Sequence, residues 1–348
     1  DWWSIVTTGN GELELTMASG NGQYLYWVLY DGNGTTVLKS NYTSGTSTHV
    51  TDGLAAGVYY VKVYGFYSDG FAPYTLTSVF NVPPVANDTE PNNTKAQAKN
   101  LPLNNARTGQ VGYYYNGVRD TSDWFKVTTD LDGDLELTIK SENGEYVYCT
   151  LYDKNGTTVI SSNYTSGTLA LNSYGLTAGT YYLRMYCYYN YKWADYTISD
   201  TLTLAPVAND VEPNNSKGTA IVFAENSTMT GHVGYYYDLE RDTADWYEIV
   251  TSNDGQIVIT LTPEIGEYVY ATLYDEDGTT ILANHYSSTN TLTSKDGLAA
   301  GTYYVSVYCY YNYKYAPYTI TNVVNTYIND NDGISNEEPK KAATLPAN

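Results

Sequence analysis

Two short acidic segments recur in this chain, at a spacing that lets them hold a hard metal ion together. Asp88, Glu90, Asn92 and Asn93 stand in Asp88-Thr89-Glu90-Pro91-Asn92-Asn93, and Asp120 and Asp123 follow in Asp120-Thr121-Ser122-Asp123-Trp124. The same types return as Asp210, Glu212, Asn214 and Asn215, then Asp242 and Asp245. All are hard oxygen donors and several are anionic, which suits calcium and its shell of about six to eight oxygens. Clusters this far apart in the chain can share one ion only if the linker between them folds back. The ion would then staple the linker to the domain. Without an ion, Asp88 and Glu90 would be solvated linker charges, and Asp120 and Asp123 would shape a turn. Recurrence of both clusters at fixed spacing favours the calcium reading.

The recurrence sets the phase of the whole chain. Glu90 maps to Glu212 and Asp123 to Asp245, a constant offset of 122 residues. By that offset Asp1-Trp2-Trp3 matches Asp123-Trp124-Phe125, so the chain opens in mid-repeat. Its 348 residues are 18 short of three such periods, and the missing piece corresponds to 105–122. The expected domains are a truncated 1–84, a complete 85–206, a complete 207–326, and the start of a fourth repeat at 327–348. In that last copy Ile334 stands at the Glu90 position, while Asp332, Asn336 and Glu337 align with Asp88, Asn92 and Asn93. The run Gln110-Val111-Gly112-Tyr113-Tyr114-Tyr115 reads as a strand, so the first domain is expected to lack one strand and show an open sheet edge.

The elements that must position these residues are strands. Leu13, Leu15 and Met17 alternate with polar residues, as do Leu135, Leu137, Ile139 and Ile257, Ile259, Leu261. Period-two alternation marks half-buried strands. A second run, Leu25, Trp27 and Leu29, is matched by Val147, Cys149, Leu151 and by Val269, Ala271, Leu273. Turns follow at Asp31-Gly32-Asn33-Gly34, Asp153-Lys154-Asn155-Gly156 and Asp275-Glu276-Asp277-Gly278, where Asn-Gly and Asp-Gly predict the positive φ values of a tight hairpin. No repeat offers a long helical period. Short strands with regular turn signals predict an all-β chain, a tandem array of β-sandwiches.

Alternation also points positions 27, 149 and 271 (Trp, Cys, Ala) and positions 65, 187 and 309 (Gly, Cys, Cys) inward. Large meets small in one repeat and medium meets medium in another, as expected for contacting side chains in a close-packed core. Cys149 and Cys187 are therefore expected to meet, either as a disulfide or as two buried thiols.

Tyrosine is extreme at 41 residues, and outward-facing tyrosines recur in matched positions. Tyr146 and Tyr148 recur as Tyr268 and Tyr270, and Tyr186 and Tyr188 as Tyr308 and Tyr310. A rigid apolar ring with a wet hydroxyl suits a contact surface. Cross-strand pairing that stiffens the sheet is the plainer account of the same pattern.

At Glu-Pro-Asn-Asn, Asp-x-x-Asp-Trp-(Phe/Tyr) and Ala-Gly-(Val/Thr)-Tyr-Tyr the sequence resembles the bacterial pre-peptidase C-terminal domain, a family that includes the collagen-binding domains of clostridial collagenases. The resemblance covers each repeat. It implies a jelly-roll-like sandwich with calcium held between the N-terminal linker and a loop, by the residues named above. Family members often carry Asp where Asn93 and Asn215 stand.

A net charge of −21 argues against nucleic acid, whose phosphates it would repel. Lys and Arg total only 17, too few for a polybasic membrane contact. No apolar run approaches the roughly 18 residues of a membrane span. Catalysis finds no support. His49, His232 and His285 align with Leu171, Gln110 and Asn163 in other repeats, and no Gly-x-Ser-x-Gly or His-Glu-x-x-His element occurs. Two functions remain. One is a non-enzymatic, extracellular or cell-surface array, a calcium-stiffened stalk, adhesin or filament. Its tyrosines would meet like domains or neighbouring copies in a fibre, or an extracellular protein or glycan. The other is a protein- or carbohydrate-binding appendage of a secreted hydrolase, usually a peptidase.

Overall fold

A computed structural model describes residues 1–67, 71–115, 118–190, 192–237, 240–289 and 291–326. Residues 327–348, assigned above to a fourth repeat, lie outside the described residues. The chain divides into two compact units, Asp1–Ser173 with Ala178–Thr203, and Tyr174–Thr177 with the chain from Leu204 onward.

The first sandwich holds β1 (Trp2–Thr7), β2 (Gly11–Ser19), β3 (Leu25–Tyr30), β4 (Val37–Thr43), β5 (Thr46–Leu54), β6 (Gly57–Gly65) and β7 (Tyr74–Asn81). The second holds β8 (Lys99–Asn100), β9 (Arg107–Val111), β10 (Tyr114–Tyr115), β11 (Val118–Arg119), β12 (Asp123–Thr129), β13 (Gly133–Ser141), β14 (Val147–Tyr152), β15 (Val159–Thr165), β16 (Thr168–Leu176), β17 (Gly179–Cys187) and β18 (Ala194–Leu204). The third repeats the second as β19 (Ile221–Val222), β20 (Thr228–Val233), β21 (Tyr236–Tyr237), β22 (Glu240–Arg241), β23 (Asp245–Thr251), β24 (Gly255–Pro263), β25 (Val269–Tyr274), β26 (Ile281–Ser287), β27 (Thr291–Leu298), β28 (Gly301–Cys309) and β29 (Ala316–Thr326).

One sheet of the second sandwich runs β15-β14-β17-β12-β8, and the facing sheet contains β16-β13-β18-β9. The third has the same plan, β19-β23-β28-β25-β26 against β20-β29-β24-β27. The alternation read from sequence is the burial pattern found. Leu13, Leu15 and Met17 of β2 are buried, as are Leu135, Leu137, Ile139 and Ile257, Ile259, Leu261. Each fully buried aliphatic side chain contributes about 1.5–3 kcal/mol, so the inner faces dominate the energetics.

The first sandwich is smaller, β1-β6-β3-β4 against β5-β2-β7. Among the described residues β7 pairs only with β2, whereas β18 pairs with both β13 and β9. This is the open edge expected. The hairpin β10–β11 extends the other end of that sheet, with Tyr114 paired in parallel to Leu54 of β5.

Two local expectations are corrected. The turns after β3, β14 and β25 are not tight two-residue hairpins. Only Gly34, Gly156 and Gly278 take positive φ, at 71°, 70° and 68°, and the residue before each does not. The loop closes wider, with the Asp31 N–H donating to Thr36 O at 3.0 Å and the Gly34 N–H to Asp31 O at 3.0 Å.

Cys149 and Cys187 are two buried free thiols and not a disulfide, and the volume argument paired the wrong positions. Register sets Cys149 opposite Met185 and Cys187 opposite Val147, so the two cysteines are diagonal neighbours. Cys187 Sγ turns across the sandwich and donates to Val111 O at 3.3 Å. All three cysteines are free and buried. Trp27 is accommodated by the facing sheet, where the His49 ring lies 5.5 Å from its own, and not by the glycine at position 65.

Trp3 is 51% exposed, while its counterparts Phe125 and Tyr247 are buried under their own linkers. The first sandwich should therefore be the least protected. Hydrogen exchange on the monomeric chain should show faster exchange in β1 and β7 than in β12 and β18. Equal protection would contradict the open edge.

Candidate metal centre

The linker before the second sandwich folds back on it, held by the Asn87 side chain and by backbone carbonyls. Asn87 Oδ1 accepts from the Asp88 N–H at 2.9 Å and from the Gln110 N–H of β9 at 3.0 Å. The Gln110 side chain returns a bond to Val85 O at 2.6 Å. At the other end the Trp124 N–H of β12 donates to Asn92 O at 2.8 Å. These ties set Asp88-Thr89-Glu90-Pro91-Asn92 across the start of β12, where Asp120 and Asp123 stand. The third sandwich repeats the plan, with Asn209 Oδ1 accepting from Asp210 and His232 amides and the Trp246 N–H reaching Asn214 O at 3.0 Å.

The result is a convergence of carboxylates. Single oxygens of Asp88, Glu90 and Asp123 lie within 4.8 Å of one another, and so do those of Asp210, Glu212 and Asp245. In the second sandwich five buried oxygens point inward with no hydrogen-bond partner: Asp88 Oδ1, Glu90 Oε1, Asn92 Oδ1, Asp120 Oδ2 and Asp123 Oδ1. In the third, Asp210 Oδ1, Asn214 Oδ1 and Asp245 Oδ1 are in the same condition. Leaving so many buried acceptors unmet is costly unless a cation meets them. The remaining oxygens are used to hold the cluster. The Tyr196 hydroxyl donates to Asp123 Oδ2 at 2.5 Å, the Asn92 amide reaches Asp88 Oδ2, and the Asn92 N–H donates to Glu90 Oε2 at 3.2 Å.

Electrostatics report the crowding. Burial first, then Glu90 and Asp120, push Asp88 up to about 8. Burial and Glu90 raise Asp120 to about 7. Asp123 is raised well above its ordinary value by burial, Asp88 and Asp120. In the third sandwich burial, Glu212 and Asp210 take Asp242 to about 8.

Asn93 and Asn215, candidate ligands by sequence, lie against the loop that carries the acids. Asn215 Oδ1 accepts from the Thr243 and Ala244 amides at 3.0 and 3.3 Å. Asn93 sits against Asp120 Oδ1 and Ser122 O as a donor. Asp242 spends both oxygens on the amides of Gly234 and Ala244, each at 3.2 Å. Tyr196 and Tyr318, which orient Asp123 and Asp245, were not singled out from sequence, nor were Asn87 and Asn209. Their recurrence at the repeat offset was the available signal.

The tyrosines form a second constellation on the outer face of the sheet containing β14 and β17. Tyr148 stacks on Tyr186 at 4.9 Å, and Tyr146 lies 6.1 Å from Tyr188. Tyr270 stacks on Tyr308 at 4.8 Å, and Tyr268 lies 6.2 Å from Tyr310. Tyr164 and Tyr286, on the edge strands, join them and were missed from sequence.

Among solved structures, the pre-peptidase C-terminal domain of collagenase from Bacillus anthracis is similar at 18% identity, over 30% of this chain and 94% of that domain, with a TM-score of 0.24. The tandem CBM22-1–CBM22-2 domain of Paenibacillus barcinonensis Xyn10C is similar at 8% identity, over 64% of this chain and 92% of that one, with a TM-score of 0.21. No family model matches the chain, and no curated protein does. Among the described residues no helix is long and apolar enough to cross a membrane.

The raised acids fix the sign of a pH dependence. An aspartate moved from its ordinary 3.8 to about 8 holds a proton in the folded state that the unfolded chain has released. Its contribution is complete below about pH 4 and is lost as pH rises through about 8. Chelator-treated protein should therefore melt at lower temperature as pH rises across that window. A melting temperature that climbed with pH would contradict the buried cluster.

Proposed function

We propose that the chain is a non-catalytic, extracellular repeat protein in which calcium fastens each complete sandwich to the linker before it. The observation that carries this reading is the set of five buried, unpartnered oxygens on Asp88, Glu90, Asn92, Asp120 and Asp123. The donors are oxygens only, which suits a hard cation and not zinc or copper. Calcium tolerates an irregular shell of mixed carboxylate and amide ligands, whereas magnesium demands near-ideal octahedral geometry. A groove of about 440 Å³, lined in part by Asn10, Asn87, Asp88, Glu90 and Gln110, opens beside the cluster and gives water and ions access. The corresponding ligands in the third sandwich are Asp210, Glu212, Asn214 and Asp245, with Asp242 beside them.

An acid–base reading of the same carboxylates is weaker. The cluster is repeated, and its hydrogen bonds hold protein groups in place. The exposed tyrosine faces support a contact role for the same modules, toward like domains or neighbouring copies in a fibre, or toward an extracellular protein or glycan. A binding appendage of a secreted peptidase would use the sandwiches in the same way. A catalytic domain in the full reading frame would decide for the appendage, and a long run of repeats for the stalk or filament.

Calorimetric titration of metal-free protein with calcium tests the ion directly. Binding is expected, and Asp123→Asn and Asp245→Asn should each remove one site. With a Kd of about 10⁻⁴ M and free calcium of about 10⁻³ M, each site stabilises its sandwich by about 1.4 kcal/mol. No heat at millimolar calcium, or unchanged binding in both variants, would sink the reading.

A further inference from the structure

The tyrosine faces carry a second chemistry that does not depend on calcium. On the second sandwich Tyr148 of β14 is opposite Tyr164 of β15 on one side and Tyr186 of β17 on the other. Tyr188, just past β17, is tied to β14 by its N–H donating to Tyr146 O at 2.9 Å. Its ring meets that of Tyr164 above β14, with centroids 4.8 Å apart and planes tilted by 44°. Tyr286 and Tyr310 repeat the arrangement on the third sandwich at 5.0 Å and 36°, while Tyr286 also lies 4.8 Å from the half-buried Tyr270 at 43°. All four rings of the Tyr164–Tyr188 and Tyr286–Tyr310 pairs are exposed, each above 40%. The stacked pairs Tyr148–Tyr186 and Tyr270–Tyr308 differ, being nearly parallel at 19° and 17°. Parallel rings face each other, whereas a bond between two rings joins their edges.

We propose that Tyr164–Tyr188 and Tyr286–Tyr310 are sites of oxidative coupling to dityrosine, which ties the edge strands β15 and β26 to β17 and β28. The co-reactant is hydrogen peroxide acting through a haem peroxidase. Each phenol loses one electron and one proton to give a phenoxyl radical. The two radicals join through ring carbons ortho to oxygen, and the displaced ring hydrogens return to the oxygens as aromaticity is restored. The net loss is two hydrogen atoms, which reduce one hydrogen peroxide to two waters. The first sandwich contains an internal control. Tyr42 has the phenylalanine Phe66 at 5.6 Å where Tyr164 has Tyr188, so the equivalent bond cannot form, and the Tyr24 ring lies farther off at 6.1 Å.

The bond would matter because β15 and β26 are outer strands, each held by a single ladder in its sheet. Edge strands are where sheets fray and recruit other chains. A covalent tie across the neighbouring strand closes a chain loop and restrains that fraying. The three free, buried cysteines offer no such tie.

The test is to treat dilute full-length chain with a haem peroxidase and hydrogen peroxide, then read blue dityrosine fluorescence, intact mass and cross-linked peptides. Expected are masses lower by two hydrogens per bond, with bonds mapped to Tyr164–Tyr188 and Tyr286–Tyr310. Tyr188→Phe and Tyr310→Phe, which keep the ring, should each remove only their own bond. Phe66→Tyr should add a bond from Tyr42 in the first sandwich. Coupling mapped mainly to other ring pairs or between chains, or absent altogether, would overturn the assignment. So would Tyr188→Phe with undiminished coupling at Tyr164, or Phe66→Tyr without a new bond while its circular dichroism is unchanged.

Discussion

Burying Asp88, Glu90, Asp120 and Asp123 together takes four acids out of water and sets like charges against one another. The Lys99 charge favours ionised Glu90, but burial still raises Glu90 and the three aspartates. Arg119 is close in sequence, but its guanidinium is spent on backbone carbonyls, Gly112 O at 2.9 Å and Lys192 O. The hydrogen bonds around the acids orient them and leave their inner oxygens unmet. Buried acids arranged this way need either protons or a cation. The Asn87 side chain and the Asn92 carbonyl tie the linker to β9 and β12.

Much of this was legible in the sequence because a repeat supplies its own controls. Alternation in Leu13, Leu15 and Met17 is local, and the strand it predicts forms in all three copies. The acidic clusters were legible because both return at one offset. Register was not legible, since it depends on how non-adjacent strands align, and one diagonal step separates Cys149 from Cys187. The role of Tyr196 was hidden for a related reason. Its hydroxyl reaches Asp123 from the facing sheet, 73 residues away in the chain. Asn93 looked like Asn92 in sequence. Only the fold shows that one amide faces the cluster and the other braces the loop.

The abundance of tyrosine follows from a related constraint. A strand buried on one face still needs cohesion on the other, and these sheets obtain it from rings that pair across strands. Arg184 lies over both Trp124 and Tyr186, with its guanidinium 5.9 and 4.9 Å from the ring centroids, so even the charge on this face is drawn into the aromatic layer. The inner members such as Tyr148 and Tyr186 stiffen the sheet, and the outer members such as Tyr146 and Tyr188 remain available.

The two complete sandwiches are not equivalent, and the difference lies one layer behind the carboxylates. Position 125 is Phe in the second sandwich, and its counterpart in the third is Tyr247. The Tyr247 hydroxyl donates to Asp210 Oδ2 at 2.5 Å and lies 2.5 Å from the Tyr318 hydroxyl. His232 likewise replaces Gln110 and favours the Asp210 charge. Asp210 is consequently raised only to about 6, whereas Asp88, with no phenol behind it, reaches about 8. The neighbouring acid shifts the opposite way, Asp242 to about 8 against about 7 for Asp120. The repeat has kept one donor set and changed the cost of charging it, through a single hydroxyl on a buried ring and a neighbouring imidazole.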